Sequence, residues 1–194
     1  MSLESAIEVY PKDIQLKNGF KCSLRPLEPS DEKALHQFFL DMPGPEMMYI
    51  KHRVTDLAVL HEWCANIDLG RNFPLLALAD GKVLGVATLH QQLGGWRRHI
   101  GRVSVHVHPK HRGHGLARTM VGELIDVARQ CGLEKVEAEF IGKQENAMKM
   151  FALIGFSQLT RLNDYVKDMQ AVSHDYVLMG LDLVTDEEYA GVGG

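Results

Sequence analysis

The residues "VSVHVHPKHRGHGLART" at 103–119 constrain the fold more than any other stretch of the chain. Val103, Val105 and Val107 alternate with Ser104, His106 and His108, the period-2 signature of a strand with two unlike faces. Pro109 ends that strand. Leu116, Met120, Leu124, Val127 and Ala128 then recur at helical spacing across 115–131, and Gly132 closes the helix. "KVEAEFI" follows as a second strand. A strand, a helix and a strand in immediate succession form a crossover of the kind that sets neighbouring strands parallel. The chain is thereby expected to form a sheet with a parallel pair covered by a helix.

The remaining segments add antiparallel neighbours. "FKCSLRPL" alternates like a strand, and "PSDEKALHQFFLDM" reads as a helix with Ser30 as N-cap. A second helical pattern lies within 49–72 around Leu57, Leu60, His61 and Cys64, with Gly70 as its stop. "PLLALA" and "KVLGVATLHQQ" flank Asp80-Gly81, a pair suited to the positive φ angles of a tight hairpin. A turn at "LGGW" leads into "IGRVSVHVH", so three successive strands read as antiparallel. After the crossover, Ala147, Met150, Phe151 and Ile154 mark one face of a shorter helix ending at Gly155-Phe156. "FSQLTRL" and "DYVLMGLDL" read as a final strand pair separated by "NDYVKDMQAVSH", a loop of functional length. The predicted fold is α+β, three-layered, with a mixed, mostly antiparallel sheet flanked by helices.

Composition narrows the function. At 194 residues and 45% hydrophobic, the chain suits one globular domain over 1–194, with a core at about 16–183 and a frayed end at 184–194. A formal charge of −4 argues against nucleic-acid binding by bulk electrostatics, so any anion site is local. Cys22, Cys64 and Cys131 form no CxxC or Cys/His cluster, which predicts a reducing, cytoplasmic setting with neither disulfides nor zinc. "MSLESAIEVYPKD" lacks the pattern of an export signal, and no run of eighteen apolar residues marks a membrane span.

The corner itself is suited to holding an anion. A helix N-terminus presents unpaired N–H groups and partial positive charge, and Gly113 and Gly115 let a phosphate approach the main chain, with Lys110, His111, Arg112 and His114 around them. Taken alone, the glycines equally suit a tight turn. Neither the P-loop nor the dinucleotide-binding pattern is present. The residues instead resemble the GNAT superfamily of acyl-CoA-dependent N-acyltransferases: Arg112, Gly115 and Ala117 fit its R-x-x-G-x-A motif, preceded by a strand ending in Val-His-Pro. "ENAMKMFALIGF" is similar to its second landmark helix, and the likeness runs from about residue 16 to 183. "LKNGFKCSLRPLEPSDEKALHQFF" weakly resembles the opening of GNAT domains that acetylate protein lysines.

The resemblance implies a splayed parallel strand pair and acetyl-CoA as acyl donor. It implies that Val105, His106 and Val107 offer backbone groups to the pantetheine arm, one N–H polarising the thioester carbonyl. Gly113, His114, Gly115, Leu116, Ala117 and Arg118 would donate backbone N–H groups to the pyrophosphate, with Arg112 adding charge. Phe151 would lie at the cofactor, where many GNAT enzymes carry a tyrosine that protonates the departing thiolate, and Gln144 replaces their usual asparagine. A phenyl ring donates no proton; a general acid is typically worth about 10²–10⁴ in rate. Tyr165, Tyr176 or water are the substitutes.

The chemistry needs a base or a site that disfavours ammonium, since an amine of pKa about 10.4 is protonated at neutral pH. Glu139 is the first candidate, because some GNAT enzymes use a glutamate there. His106 is the alternative, with His99 and His108 behind it. His106, His108, His111 and His114 lack a Cys or Asp cluster, so no metal is expected. The activity expected is acetyl transfer to a primary amine, a small amine or a protein lysine or N-terminus, by direct attack in a ternary complex. The alternative is a weak or inactive acyl-CoA-binding module. Neither nucleic acid nor membrane is an expected partner, and homodimerisation is open. His52, Arg53, Asp164, Lys167 and Asp168 make a mixed-charge acceptor lining that selects no one amine.

Overall fold

The computed structural model describes residues 3–50, 53–168 and 170–183. His52 and the expected frayed end at 184–194 lie outside them. The chain opens with α1 (Leu3–Ile7), β1 (Lys12–Gln15), β2 (Lys21–Pro26), a 3-10 turn (Pro29–Asp31), α2 (Glu32–Leu40), a second 3-10 turn (Gly44–Tyr49) and α3 (Leu57–Ala65). It continues through β3 (Asn72–Ala79), β4 (Lys82–His90), β5 (Ile100–Val107), a third 3-10 turn (Pro109–His111) and α4 (Leu116–Gln130). It closes with β6 (Lys135–Ile141), α5 (Glu145–Ile154), β7 (Ser157–Lys167) and β8 (Ser173–Asp182).

The eight strands form one sheet in the order β1-β2-β3-β4-β5-β6-β8-β7. Every neighbouring pair is antiparallel except β5 and β6, which the α4 crossover makes parallel. Strand alternation sorts the core into two clusters. Val103 and Val107 of β5 and Val136, Ala138 and Phe140 of β6 pack with Leu116, Met120 and Leu124 of α4 and Phe151 of α5. Across the sheet, Leu35, Phe38 and Phe39 of α2 and Leu60 and Cys64 of α3 cover Leu76, Val83 and Val86. The sheet is thus the middle of three layers, as expected. The Asp80-Gly81 hairpin also forms, with φ of 50° and 70°.

Four local expectations are corrected. Ser30 does not cap α2: it sits within a 3-10 turn stapled by Asp31, whose carboxylate accepts from the Glu28 N–H (2.8 Å) and from both terminal nitrogens of Arg25 (2.7 Å each). α3 stops at Ala65, short of Gly70, because Asp68 organises a separate turn that accepts the N–H of Gly70 (3.1 Å). The expected long loop at 163–174 is mostly strand. Tyr165 and Val166 favour extended structure, and Asp164 (φ 53°) absorbs a register shift, so that among the described residues only 168 and 170–172 remain outside β7 and β8. Finally, α1 and β1 precede the elements expected, with Lys12 of β1 paired to Glu123 of α4 at 2.5 Å.

Candidate active site

The parallel ladder is short. Among the described residues, β5 pairs β6 only through Ile100↔Lys135, Gly101↔Val136 and Arg102↔Glu137. β4 stays paired to β5 as far as Val107, while β6 continues against β8 to Ile141. The two strands therefore fork after Arg102. Among the described residues no strand pairs with one backbone edge of residues 103–107 of β5, which holds the expected Val105, His106 and Val107. Backbone polar groups on such an edge must find water or a ligand.

The open edge leads into the start of α4. Gly113 and Gly115 have φ of 80° and 91°, a region that other residues enter only under strain, so the glycines are required by the backbone at this corner. The helical ladder begins where the Thr119 N–H donates to Gly115 O (3.0 Å), leaving the N–H groups of Leu116, Ala117 and Arg118 ahead of the first bond. Leu116 is buried and anchors the helix start, whereas Arg118 and Gly113 are exposed. His111 is held below the usual imidazole range by burial, then by His108, His114 and Lys110. The β1–β2 turn adds what the sequence did not reveal: the Lys17 N–H donates to His114 O (3.2 Å), and Phe20 stacks against His111 at 5.4 Å. Only a three-dimensional neighbour brings Lys17 here.

Arg112 is engaged elsewhere. Its Nε donates to Val107 O (2.9 Å), and its terminal nitrogens donate to both oxygens of Glu46 (2.7 and 2.6 Å). The motif arginine thus ties the end of β5 to the turn at Gly44–Tyr49.

On the sheet face opposite α4, β5 and β6 carry polar side chains. Arg102 Nη2 lies 3.3 Å from Glu139 Oε1, and the Tyr176 hydroxyl donates to the same oxygen at 3.0 Å. Burial, followed by the hydrogen bond to Glu139, pushes the Tyr176 phenol up to about 12. Arg97 pairs with Glu137 at 2.6 Å. Glu139 thus sits just beyond the fork, with a cation and a phenol on one oxygen. The pattern of β5 already put Arg102 on the face of Ser104 and His106, a signal unused in the sequence reading.

The other expected residues are dispersed. His106 is partly buried, and burial pushes its imidazole down to about 4, with Glu46 opposing and Arg112 reinforcing the shift. The His108 ring accepts from the Lys110 N–H (3.3 Å) and lies 3.6 Å from Asp41; His99 is at the foot of β5, its carbonyl accepting from Glu134 N–H. Phe151, expected at the cofactor, is 1% exposed and enclosed edge-on by Phe140 and Phe156 at 5.0 and 4.9 Å. Gln144 precedes α5 and accepts from the Ile141 N–H (2.8 Å). Tyr165 is exposed, 6.0 Å from the Tyr176 ring. Asp168 is taken up by His174 (2.8 Å), which holds its carboxyl below the usual range, while Arg53 is exposed. No group of three or more His, Cys, Asp or Glu is placed to hold a metal, and no helix is long and apolar enough to cross a membrane, among the described residues.

A strand fork opening onto a glycine-bearing helix start sets a free backbone edge ahead of a helix N-terminus, a geometry suited to an extended anionic ligand. The description "Acetyltransferase (GNAT) family" matches residues 34–156, well over half of the chain. The chain belongs to the GNAT acetyltransferase family. It is similar to the L-amino acid N-acyltransferase MnaT of Escherichia coli, 36% identical over 89 residues, 43% of this chain and 50% of that protein. It is also similar to the L-methionine sulfoximine/L-methionine sulfone acetyltransferase of Salmonella typhimurium, 35% identical over 90 residues, 44% of this chain and 51% of that protein. The chain spans about half the length of these curated relatives. Among solved structures, the GNAT domain of S. lividans PAT shares the fold with a TM-score of 0.73 at 17% identity, covering 88% of this chain and 96% of that one. The yncA structure from Salmonella typhimurium, solved with its cofactor acetyl-CoA, matches with a TM-score of 0.69 at 23% identity, covering 84% and 95%.

Proposed function

We propose that this protein is an N-acetyltransferase, a single domain that moves an acetyl group from acetyl-CoA to a primary amine by direct attack. The observation that carries the reading is the fork after Arg102, which leads on one side to the helix start at Gly115 and on the other to Glu139. Bound acetyl-CoA supplies an activated thioester. The open edge at Val105, His106 and Val107 suits an extended pantetheine arm, a backbone N–H there polarising the acetyl carbonyl. The N–H groups at Gly113, His114, Gly115, Leu116, Ala117 and Arg118 suit the pyrophosphate. As the N–C bond forms, the C–S bond breaks and the electron pair leaves on sulfur.

Glu139 is the base. Taking the amine's proton there neutralises a charge, whereas taking it at His106 creates a cation that burial disfavours, with Glu46 only partly offsetting and Arg112 adding to that cost. The leaving thiolate has an ordinary thiol pKa of about 8.5 and departs without an acid at Phe151. The two bacterial relatives are named for amino-acid or amino-acid-like acceptors, which are small primary amines. Thiol release from acetyl-CoA over a panel of amines and lysine peptides tests the reading; release with at least one amine, lost in Glu139→Gln, is expected.

A second reading has one observation in its favour. Phe151 fills the tyrosine position with a ring sealed in the core. A domain that binds acyl-CoA without transferring it would do the same. Acetyl-CoA binding without thiol release for any acceptor would decide for it.

A further inference from the structure

Arg102 stands out among the charged side chains at the fork. It faces Glu137 in register across β5 and β6, yet its terminal nitrogen reaches forward to Glu139 at 3.3 Å, a long contact for an ion pair. Its Nε is buried with no hydrogen-bond partner, the one such side-chain atom among the described residues. A buried, unmatched donor costs free energy, and on a guanidinium it is a strong donor for an anion. Beside it is a cavity of about 100 Å³ lined by His90, Gln91, Arg97, Arg102 and Glu137, among others. That cavity is at the foot of the fork, on the face that carries Glu139 and Tyr176.

The charges on this face balance: Arg97 with Glu137 at 2.6 Å, Arg102 with Glu139. A polyamine would add positive charge beside two guanidiniums. A zwitterion adds none, and it complements the order of the groups, an anion at Arg102 and an amine at Glu139. We propose that Arg102 reads the carboxylate of the acceptor, so that the preferred acceptor is a free α-amino acid rather than a protein lysine or a polyamine. This rests on the transferase reading for its amine end. The carboxylate takes the Arg102 Nε–H, the small cavity admits the head of the amino acid, and its α-amine is left beside the Glu139 carboxylate.

The test pairs L-amino acids with their carboxamides and decarboxylated amines, in turnover with acetyl-CoA and in calorimetric binding to the full chain saturated with coenzyme A. Each amino acid is expected to exceed its amide and amine by about 10–100-fold in kcat/KM and in affinity, as for a hydrogen bond to a charged group. Arg102→Gln lowers kcat for acid and amide alike in so far as it disturbs Glu139, and beyond that common loss it removes the acid-over-amide ratio by raising KM for the amino acid alone. Arg102→Lys keeps the charge and restores part of it. Circular dichroism confirms that both variants fold. Turnover of amines with no carboxylate preference overturns the proposal and leaves the transferase reading standing. A carboxylate preference in binding without turnover supports Arg102 as the carboxylate reader and overturns the transferase reading, with the amino acid then a ligand and not an acceptor. An Arg102→Gln loss equal for acid and amide makes Arg102 only a partner of Glu139, and absence of any amino-acid binding overturns the proposal outright.

Discussion

The two ends of the candidate site are built from different material. At the proposed cofactor end, the open edge of β5 and the start of α4 offer backbone N–H groups, whose positions follow from strand pairing, two positive-φ glycines and the onset of the helical ladder. At the proposed acceptor end, Glu139, Tyr176, Arg102, Arg97 and Glu137 offer side chains, whose positions follow from one another. Backbone sites tolerate changes of side chain and fail when the path of the main chain is disturbed. Side-chain sites fail by single substitutions that leave the fold intact. The predictions separate the two ends on that ground.

The largest effect is expected at the acceptor end. Glu139→Gln keeps the shape and the Tyr176 contact but removes the proposed proton acceptor, and kcat should fall by about 10²–10⁴, roughly 3–5 kcal/mol of barrier. Acetyl-CoA affinity should stay within a few-fold, measured by calorimetry. A matched loss in both would mean that Glu139 belongs to the cofactor end. His106 gives the next largest effect, on stability rather than rate. Its imidazole is depressed to about 4 in the folded protein, against about 6.5 unfolded. The unfolded chain therefore binds more protons between those values, and the stability contributed by His106 is present above pH 6.5 and lost as pH falls toward 4. The loss is up to about 3 kcal/mol. Thermal melts from pH 7.5 to 4.5 should show His106→Gln less acid-sensitive than the parent, with kcat at pH 7.5 lowered by less than about threefold. A collapse of kcat instead would move the base from Glu139 to His106.

The difference in material also explains what the sequence revealed. The crossover, the Asp-Gly hairpin and the glycines before α4 were legible because each is dictated by residues close together in the chain: alternation, helical spacing, positive φ. Ser30, Gly70 and the 163–174 loop were misread because a distant or competing partner decided them. Arg25 recruits Asp31, Asp68 claims the chain before Gly70, and β8 extends β7 past Asp164. At the candidate site, Glu139 could be singled out from its strand, but its contacts with Arg102 and Tyr176 join three strands and leave no local pattern. The Glu46 pairing with Arg112 spans a separation of 66 residues. Nothing in a motif centred on Arg112 announces that its charge has already been taken.

At the cofactor end, Gly115→Val forces a β-branched residue to a φ of 91° and displaces the start of α4. Strain of about 1–3 kcal/mol should appear as a 10–100-fold weaker acetyl-CoA Kd. Saturating acetyl-CoA should recover most of kcat, the reverse of Glu139→Gln. Unchanged affinity would show that the cofactor does not use the α4 N-terminus.

The smallest effect has the most informative sign. Arg112 donates to Glu46 through both terminal nitrogens, so its charge is largely compensated where the family motif would direct it at pyrophosphate. The pair is partly exposed, with side chains 40% and 30% accessible, which keeps its worth near or below about 1 kcal/mol. Arg112→Gln should therefore weaken acetyl-CoA binding by less than about fivefold. Glu46→Gln should tighten it by a similar factor, because it frees the guanidinium, and the double variant should fall near Arg112→Gln alone. Calorimetry on the four proteins makes this a double-mutant cycle. If Glu46→Gln weakens binding instead, Glu46 acts by holding Arg112 on Val107 O, and one side chain at the cofactor end is then as constrained as those around Glu139.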